Sequence, residues 1–242
     1  MPIVPIRHAG HADEQDPPVL GGGVENPPGH LQTNISPSDL TTPIPQVAAP
    51  SSNGNGPVST QSPILPYTLI KGISSPIHAQ FILNVAIPVF TTTFAHTCSP
   101  EDMKAYIASN FTIDHILAEI NNPNKRFVLA MQGETCCGFA QLTIGSTEPC
   151  LEHIPMRERV ELQRIYVGME FHGGGLGKLL MEAALAMGRA EGYTWVWLGV
   201  YEENKRAKRF YEKLGFEMVG THVFWLGSDE QIDEIYLRKI DP

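Results

Sequence analysis

Two spacings of apolar residues organise the C-terminal three-quarters of this chain. From Leu176 the apolar positions fall at 176, 179, 180, 183, 184 and 187, the pattern of one helix face. The flanking runs change period: "VELQRIYV" (Val160 to Val167) and "YTWVWLGVY" (Tyr193 to Tyr201) are strand-like. Upstream, "YTLIKG" (Tyr67 to Gly72) alternates and predicts a first strand. "HAQFILNVAIPVFTTTF" carries a long apolar helical pattern, expected to bend or break at Pro88. "CSPEDMKAYIASNF" starts a helix with Ser99 as N-cap and Pro100 in the first position. "TIDHILAEI" is a shorter helix closed by "NNPN". "RFVLAMQ" and "CGFAQLTIG" form a hairpin around "GETC". "STEPCLEHIPMRER" is polar and irregular, an expected excursion over the surface. "NKRAKRFYEKLG" is a helix ended by Gly215, and "FEMVGTHVFWL" and "EIYLRKI" supply the last strands. The order is mixed α and β, with a strand–glycine turn–helix–strand unit at its centre.

Composition separates a tail from this domain. Residues 1–66 hold 13 of the 20 prolines and no Phe, Tyr or Trp; the first aromatic residue is Tyr67. Such a segment buries too little apolar surface to offset the entropy of ordering it, so residues 1–66 are expected to be disordered and 67–240 to form one domain. The formal charge of −9 divides into −4 for the tail and −5 for the rest. A nucleic-acid partner needs a basic face and is disfavoured. The chain starts without a basic, then apolar, leader and shows no long unbroken apolar run, so neither secretion nor a membrane partner is expected. Cys98, Cys136, Cys137 and Cys150 lack metal-ligand spacing; they are expected as reduced thiols in the cytoplasm, with the nucleus left open, and no metal is expected.

The chemistry concentrates in "HGGGLGK". Gly173, Gly174, Gly175 and Gly177 sit where a strand feeds an amphipathic helix, and there the unpaired backbone N–H groups and the helix dipole favour an anion. A Walker loop fails because His172 stands at its first glycine and Leu179 replaces the magnesium-binding hydroxyl. A dinucleotide fingerprint fails because its last glycine falls on Lys178 or Leu180. A tight turn without a ligand is the remaining bland reading.

The chain resembles the GNAT superfamily of acetyl-CoA-dependent N-acetyltransferases. The family's pyrophosphate pattern, Gln/Arg-x-x-Gly-x-Gly/Ala, is met by His172-Gly173-Gly174-Gly175-Leu176-Gly177, with histidine at the first position as the departure. A second segment, "VYEENKRAKRFYEKLGFEMVG", places Asn204, Ala207, Phe210, Tyr211, Gly215 and Phe216 as the family has them. "FTTTFAHTCSPEDMKAYIASNF", "ELQRIYV", "WLGVYEEN" and "GSDEQIDEI" are similar to the PaiA-type polyamine acetyltransferases. The resemblance implies an α/β (α+β) GNAT fold with a mixed sheet of about six to seven strands flanked by helices. It also implies acetyl-CoA as cosubstrate, a spermidine- or spermine-like amine as acceptor, and a possible homodimer. A protein or peptide acetyltransferase, and a module that binds acyl-CoA without turnover, stay open as alternatives.

The same resemblance assigns roles. Ile165, Tyr166 and Val167 would run alongside the pantetheine arm, one of their N–H groups polarising the acetyl carbonyl. His172, Gly173, Gly174, Gly175, Leu176, Gly177 and Lys178 would hold the pyrophosphate. Tyr211 would protonate the leaving thiolate, since a tyrosine with a pKa of about 10 keeps its proton at pH 7. Glu161 is the candidate base, acting through a bridging water; in an ideal strand Glu161, Gln163 and Ile165 share one face. Asn204 has two readings, a contact to the cofactor's amides or an N-cap for its own helix. Lys213 is a further candidate phosphate contact. Glu101, Asp102, Glu202, Glu203, Asp229 and Glu230 are candidates for a surface that attracts a cationic substrate.

Overall fold

The computed structural model describes residues 67–226 and 229–241. The expected disordered segment, 1–66, lies outside the described residues. β1 (Thr68–Lys71) precedes three helices, α1 (Pro76–Phe94), α2 (Pro100–Asn110) and α3 (Ile113–Asn121). The hairpin β2 (Lys125–Gln132) and β3 (Thr135–Thr143) follows, then β4 (Arg159–Val167), α4 (Leu176–Ala190) and β5 (Trp195–Tyr201). α5 (Lys205–Lys213), β6 (Glu217–Leu226) and β7 (Asp229–Lys239) complete the domain. The seven strands form one sheet in the order β1-β2-β3-β4-β5-β7-β6, and only the β4–β5 pair is parallel. This is the expected GNAT fold.

The starts of α2 and α3 follow from local chemistry. Ser99 Oγ accepts from the Asp102 N–H at 3.0 Å, and Thr112 Oγ1 accepts from the His115 N–H at 3.1 Å. Pro88 does not break α1. Pro88 and Asn84, four residues earlier, both lie on the exposed side, so the carbonyl that loses its donor is near water. Eight buried residues on the other side, among them Ile82, Val89 and Phe90, hold the helix against the sheet. Among the described residues α1 is the one helix with the length and hydropathy of a membrane-crossing segment; its apolar positions are used within the core.

The sheet is covered on both faces. α4 and α5 pack on Val160, Leu162, Ile165, Val167, Leu198 and Val200, while α1 to α3 pack on Phe127, Leu129, Phe139 and Tyr166. The segment between β3 and β4 is not a loose excursion. It contains two short 3-10 turns, and its Leu151 and Ile154 are buried against Trp197, Ile235 and Leu237. Arg159, itself buried, ties it down by donating to the carbonyls of Leu151 and Ile154.

One detail of β4 corrects the sequence reading. Gln141 faces Arg164 in the β3–β4 register, but Leu142 faces Leu162, so Gln163 is an extra residue in a bulge. Alternation changes phase there. Val160, Leu162, Ile165 and Val167 all join the α4 side, which puts Glu161 and Ile165 on opposite faces rather than one. The Gln163 side chain turns instead into a polar network, accepting from Lys125 Nζ at 3.1 Å, Thr143 Oγ1 at 2.8 Å and Gln141.

Candidate active site

The site begins where two parallel strands part. β4 and β5 are in register over only three pairs, Arg159 with Trp195, Val160 with Val196, and Glu161 with Trp197. Beyond them β4 stays paired with β3, through Ile165 with Ala140, Tyr166 with Phe139 and Val167 with Gly138. The opposite edge of Ile165–Val167 therefore faces a fork, the arrangement that lets an extended ligand pair with a strand through backbone groups. The bulge at Gln163 accounts for the divergence, because an inserted residue bends its strand.

At the open end of the fork stands the glycine loop. Gly173 and Gly175 take φ of +83° and +82°, and a Cβ on either would meet no atom within 4 Å. Their need for glycine is conformational, and the space beside them is open. Gly175 is the N-cap of α4 and supplies no side-chain acceptor, whereas α2, α3 and α5 are capped by Ser99, Thr112 and Asn204. The first-turn N–H groups of Leu176, Gly177 and Lys178 are thus left for a partner outside the helix. They open on a cleft of ≈ 550 Å³ that is also lined by Val167, Phe171 and Phe210 and by four cations, Lys178, Arg206, Arg209 and Lys213. Arg206 and Arg209 were not singled out by sequence reasoning, since a charged short helix ordinarily faces solvent. The glycine-loop contour, the uncapped helix and the cationic rim fit a pyrophosphate-bearing group.

His172 lines the same cleft with its ring bonded to the backbone. Its Nε2 donates to the Val167 carbonyl at 3.0 Å. Burial lowers its pKa from the ordinary value, with Arg206 adding to that effect against the opposing influence of the Val167 bond. The ring is therefore neutral at pH 7, with a lone pair rather than a proton on Nδ1. His172→Ala is expected to change acetyl-CoA affinity less than about threefold while lowering stability by about 1 kcal/mol, the net worth of a lost hydrogen bond. Titration of acetyl-CoA and urea unfolding of the variant check the two numbers separately.

Tyr211 is fully buried among the residues on the α4–α5 side of the fork, edge-on to Phe210 and Phe216. Its hydroxyl has no hydrogen-bond partner among the described residues. Burial raises its pKa well above a tyrosine's ordinary value, so it is protonated throughout the neutral range. Asn204 accepts from the Ala207 N–H at 3.1 Å, so its N-cap role is in place, and it also lines a second cleft of ≈ 1090 Å³ beyond β5.

The sequence-predicted acids divide. Glu202 and Glu203 line that second cleft with Tyr201, Thr92, Thr93 and His96. Glu101 and Asp102 sit in the first turn of α2, away from it, and Glu230 is exposed on β7; the Asp229 side chain lies outside the described residues. Glu161 closes the β4–β5 pairing on the face away from α4 and is 1% exposed. Sequence reasoning missed its neighbours on that face. Asp233 covers Gly199, whose Cβ would lie 3.7 Å from the carboxylate. His222 is the cross-strand partner of Asp233 and meets Glu148 at 3.2 Å. Asp233 and Glu148 are buried as well. These four residues come from four separate segments, and no local spacing announces them.

Comparison with known proteins agrees with this geometry. The sequence profile of the acetyltransferase (GNAT) family matches residues 88–216. An uncharacterized N-acetyltransferase of Lactobacillus delbrueckii subsp. lactis is 36% identical over 159 residues, 65% of this chain and 90% of that protein. The spermidine N(1)-acetyltransferase of Thermoplasma acidophilum is 26% identical over 161 residues, 65% of this chain and 91% of its own. Among solved structures, the PaiA N-acetyltransferase of Thermoplasma acidophilum in complex with coenzyme A superposes with a TM-score of 0.54 at 22% identity, covering 71% of this chain and 99% of that one. The chain belongs to the acetyltransferase (GNAT) family. It is an acetyl-CoA-dependent N-acetyltransferase.

Proposed function

We propose that the protein transfers the acetyl group of acetyl-CoA to a primary amine of polyamine type, by direct attack within a ternary complex. The observation that supports the cationic acceptor is the group of acidic residues that meet where β4 and β5 part. Glu161, Asp233, Glu148 and His222 lie there on the face away from α4. Acidic groups at a site attract an ammonium group, the charged form of an amine acceptor. The likeness to a spermidine acetyltransferase supports the polyamine class.

In this reading the pyrophosphate rests on the glycine loop from Gly173 to Lys178, and the pantetheine arm pairs with Ile165, Tyr166 and Val167. One of those N–H groups polarises the acetyl carbonyl. The ammonium first yields a proton to Glu161 through a bridging water. Its neutral nitrogen then attacks the carbonyl carbon, the C–S bond breaks, and the electron pair goes to sulfur. Tyr211 protonates the thiolate, and the second proton lost by the nitrogen restores the phenol. Asn204 holds the start of α5, and with it Tyr211 two turns on, in register with the fork.

The test is a panel of acceptors. The purified full-length protein is incubated with acetyl-CoA and polyamines, arylamines, aminoglycosides or peptides, and free thiol release is followed. Release above the acceptor-free background with polyamines alone is the expected result. Release with peptides and none with polyamines would replace the acceptor class.

A further inference from the structure

The glycine loop and the first turn of α4 can hold a pyrophosphate with backbone N–H groups alone. The cleft nevertheless carries four cations, Lys178, Arg206, Arg209 and Lys213, and among the described residues no carboxylate lines it, in a chain of net charge −9. Arg206, Arg209 and Lys213 are three and four residues apart on α5, which puts them in one stripe along the helix face that borders the glycines. Lys208 lies off this stripe and is matched by Glu234 at 2.8 Å. Glu182 approaches Lys178 at 3.7 Å, but both are largely exposed, so water screens that pair. Arg206 and Arg209 also line the second cleft, so they stand at the junction of the two.

Charge matching identifies what this stripe receives. A pyrophosphate diester brings roughly two negative charges, and a terminal phosphomonoester adds about 1.5 to 2 more at pH 7. The four cations exceed the first group and balance the two together. Arginine suits the second group, because its planar fork meets a phosphate with two parallel hydrogen bonds. We propose that Arg206 and Arg209 form a subsite for the 3′-phosphate of coenzyme A, so that the enzyme discriminates coenzyme A from 3′-dephospho-coenzyme A. The subsite rests on the reading of this cleft as the acetyl-CoA site.

Calorimetric titration of the full-length protein with both ligands, at fixed low ionic strength, tests it. The wild-type protein is expected to bind coenzyme A about tenfold more tightly, a difference of about 1.4 kcal/mol. Arg206→Gln/Arg209→Gln replaces two exposed side chains, so the fold is retained. In that variant the preference is expected to fall below about threefold, through weaker coenzyme A binding alone, and rising salt should erode the wild-type preference in the same way. Equal weakening of both ligands in the variant would assign the arginines to the pyrophosphate and overturn the subsite. A wild-type protein that binds both ligands equally overturns it too, while leaving the acetyl-CoA site standing. Binding of neither ligand would overturn that site and the subsite with it.

Discussion

Tyr211→Phe is expected to lower kcat by about 10²- to 10⁴-fold, the usual worth of a positioned proton donor, with the Kd for acetyl-CoA changed less than about threefold. The phenol of Tyr211 has no hydrogen-bond partner among the described residues. A buried hydroxyl without a partner costs about 1 to 3 kcal/mol, and natural cores seldom keep one without a use. Tyr211 keeps its hydroxyl in the apolar cluster that also contains Ile165, Val167 and Val200, the residues flanking the fork. Its raised pKa makes it a poor base and a stable proton store, suited to a thiolate that collects negative charge as the C–S bond breaks. The stability of the variant separates this role from a packing role. Phe preserves the ring contacts with Phe210 and Phe216 and removes only the unpartnered oxygen. Urea unfolding should therefore show equal or higher stability alongside the lost turnover. A variant that turns over normally, or that loses activity only because it unfolds, would remove Tyr211 from the reaction.

Different parts of this site were legible to different degrees, for physical reasons. The glycine loop could be read because glycine marks positive φ and the apolar period behind it marks a helix start; both are local. The helix start at Ser99 could be read for the same reason, and the N-cap was one of the two readings open for Asn204. The break expected at Pro88 is absent because the freed carbonyl lies near water and the other side of the helix is packed. The bulge did leave a trace: the apolar positions of β4 run 160, 162, 165 and 167, a step of three inside an alternation. An ideal two-residue repeat imposed on that step put Glu161 and Ile165 on one face. The acid cluster left no such trace, because Glu148, Glu161, His222 and Asp233 meet only through sheet order.

Glu119→Gln is expected to destabilise the domain by about 3 to 5 kcal/mol, the cost of leaving a buried charge without its counter-ion. Glu119, on α3, bridges Arg164 of β4 and Lys125 of β2. Arg164 is buried and also donates to Gln141 Oε1 at 2.7 Å, and Lys125 donates to Gln163 at the bulge. The carboxylate thus holds α3 against the sheet and fixes the phase of the strand that carries Ile165 to Val167. Burial alone would raise its pKa; the charges of Arg164 and Lys125 outweigh that and lower it from 4.5 to about 2. The sign follows from the depressed folded-state value. The contribution is complete above about pH 4.5, where the unfolded carboxylate is also ionised, and is lost as pH falls toward about 2. Urea unfolding at pH 7 and again near pH 3 should show the wild-type protein losing this part of its stability while the variant lacks that acid-dependent part. Glu119→Gln/Arg164→Met removes the buried pair and is expected to regain part of the loss, since the part-buried Lys125 keeps its bond to Gln163 while Gln141 Oε1 loses its donor. A single variant within about 1 kcal/mol of wild type would show that water, not Glu119, balances Arg164. If turnover then falls in the stable double variant as well, the network acts on the reaction through the bulge at Gln163, which sets the edge that Ile165 to Val167 turn toward the fork.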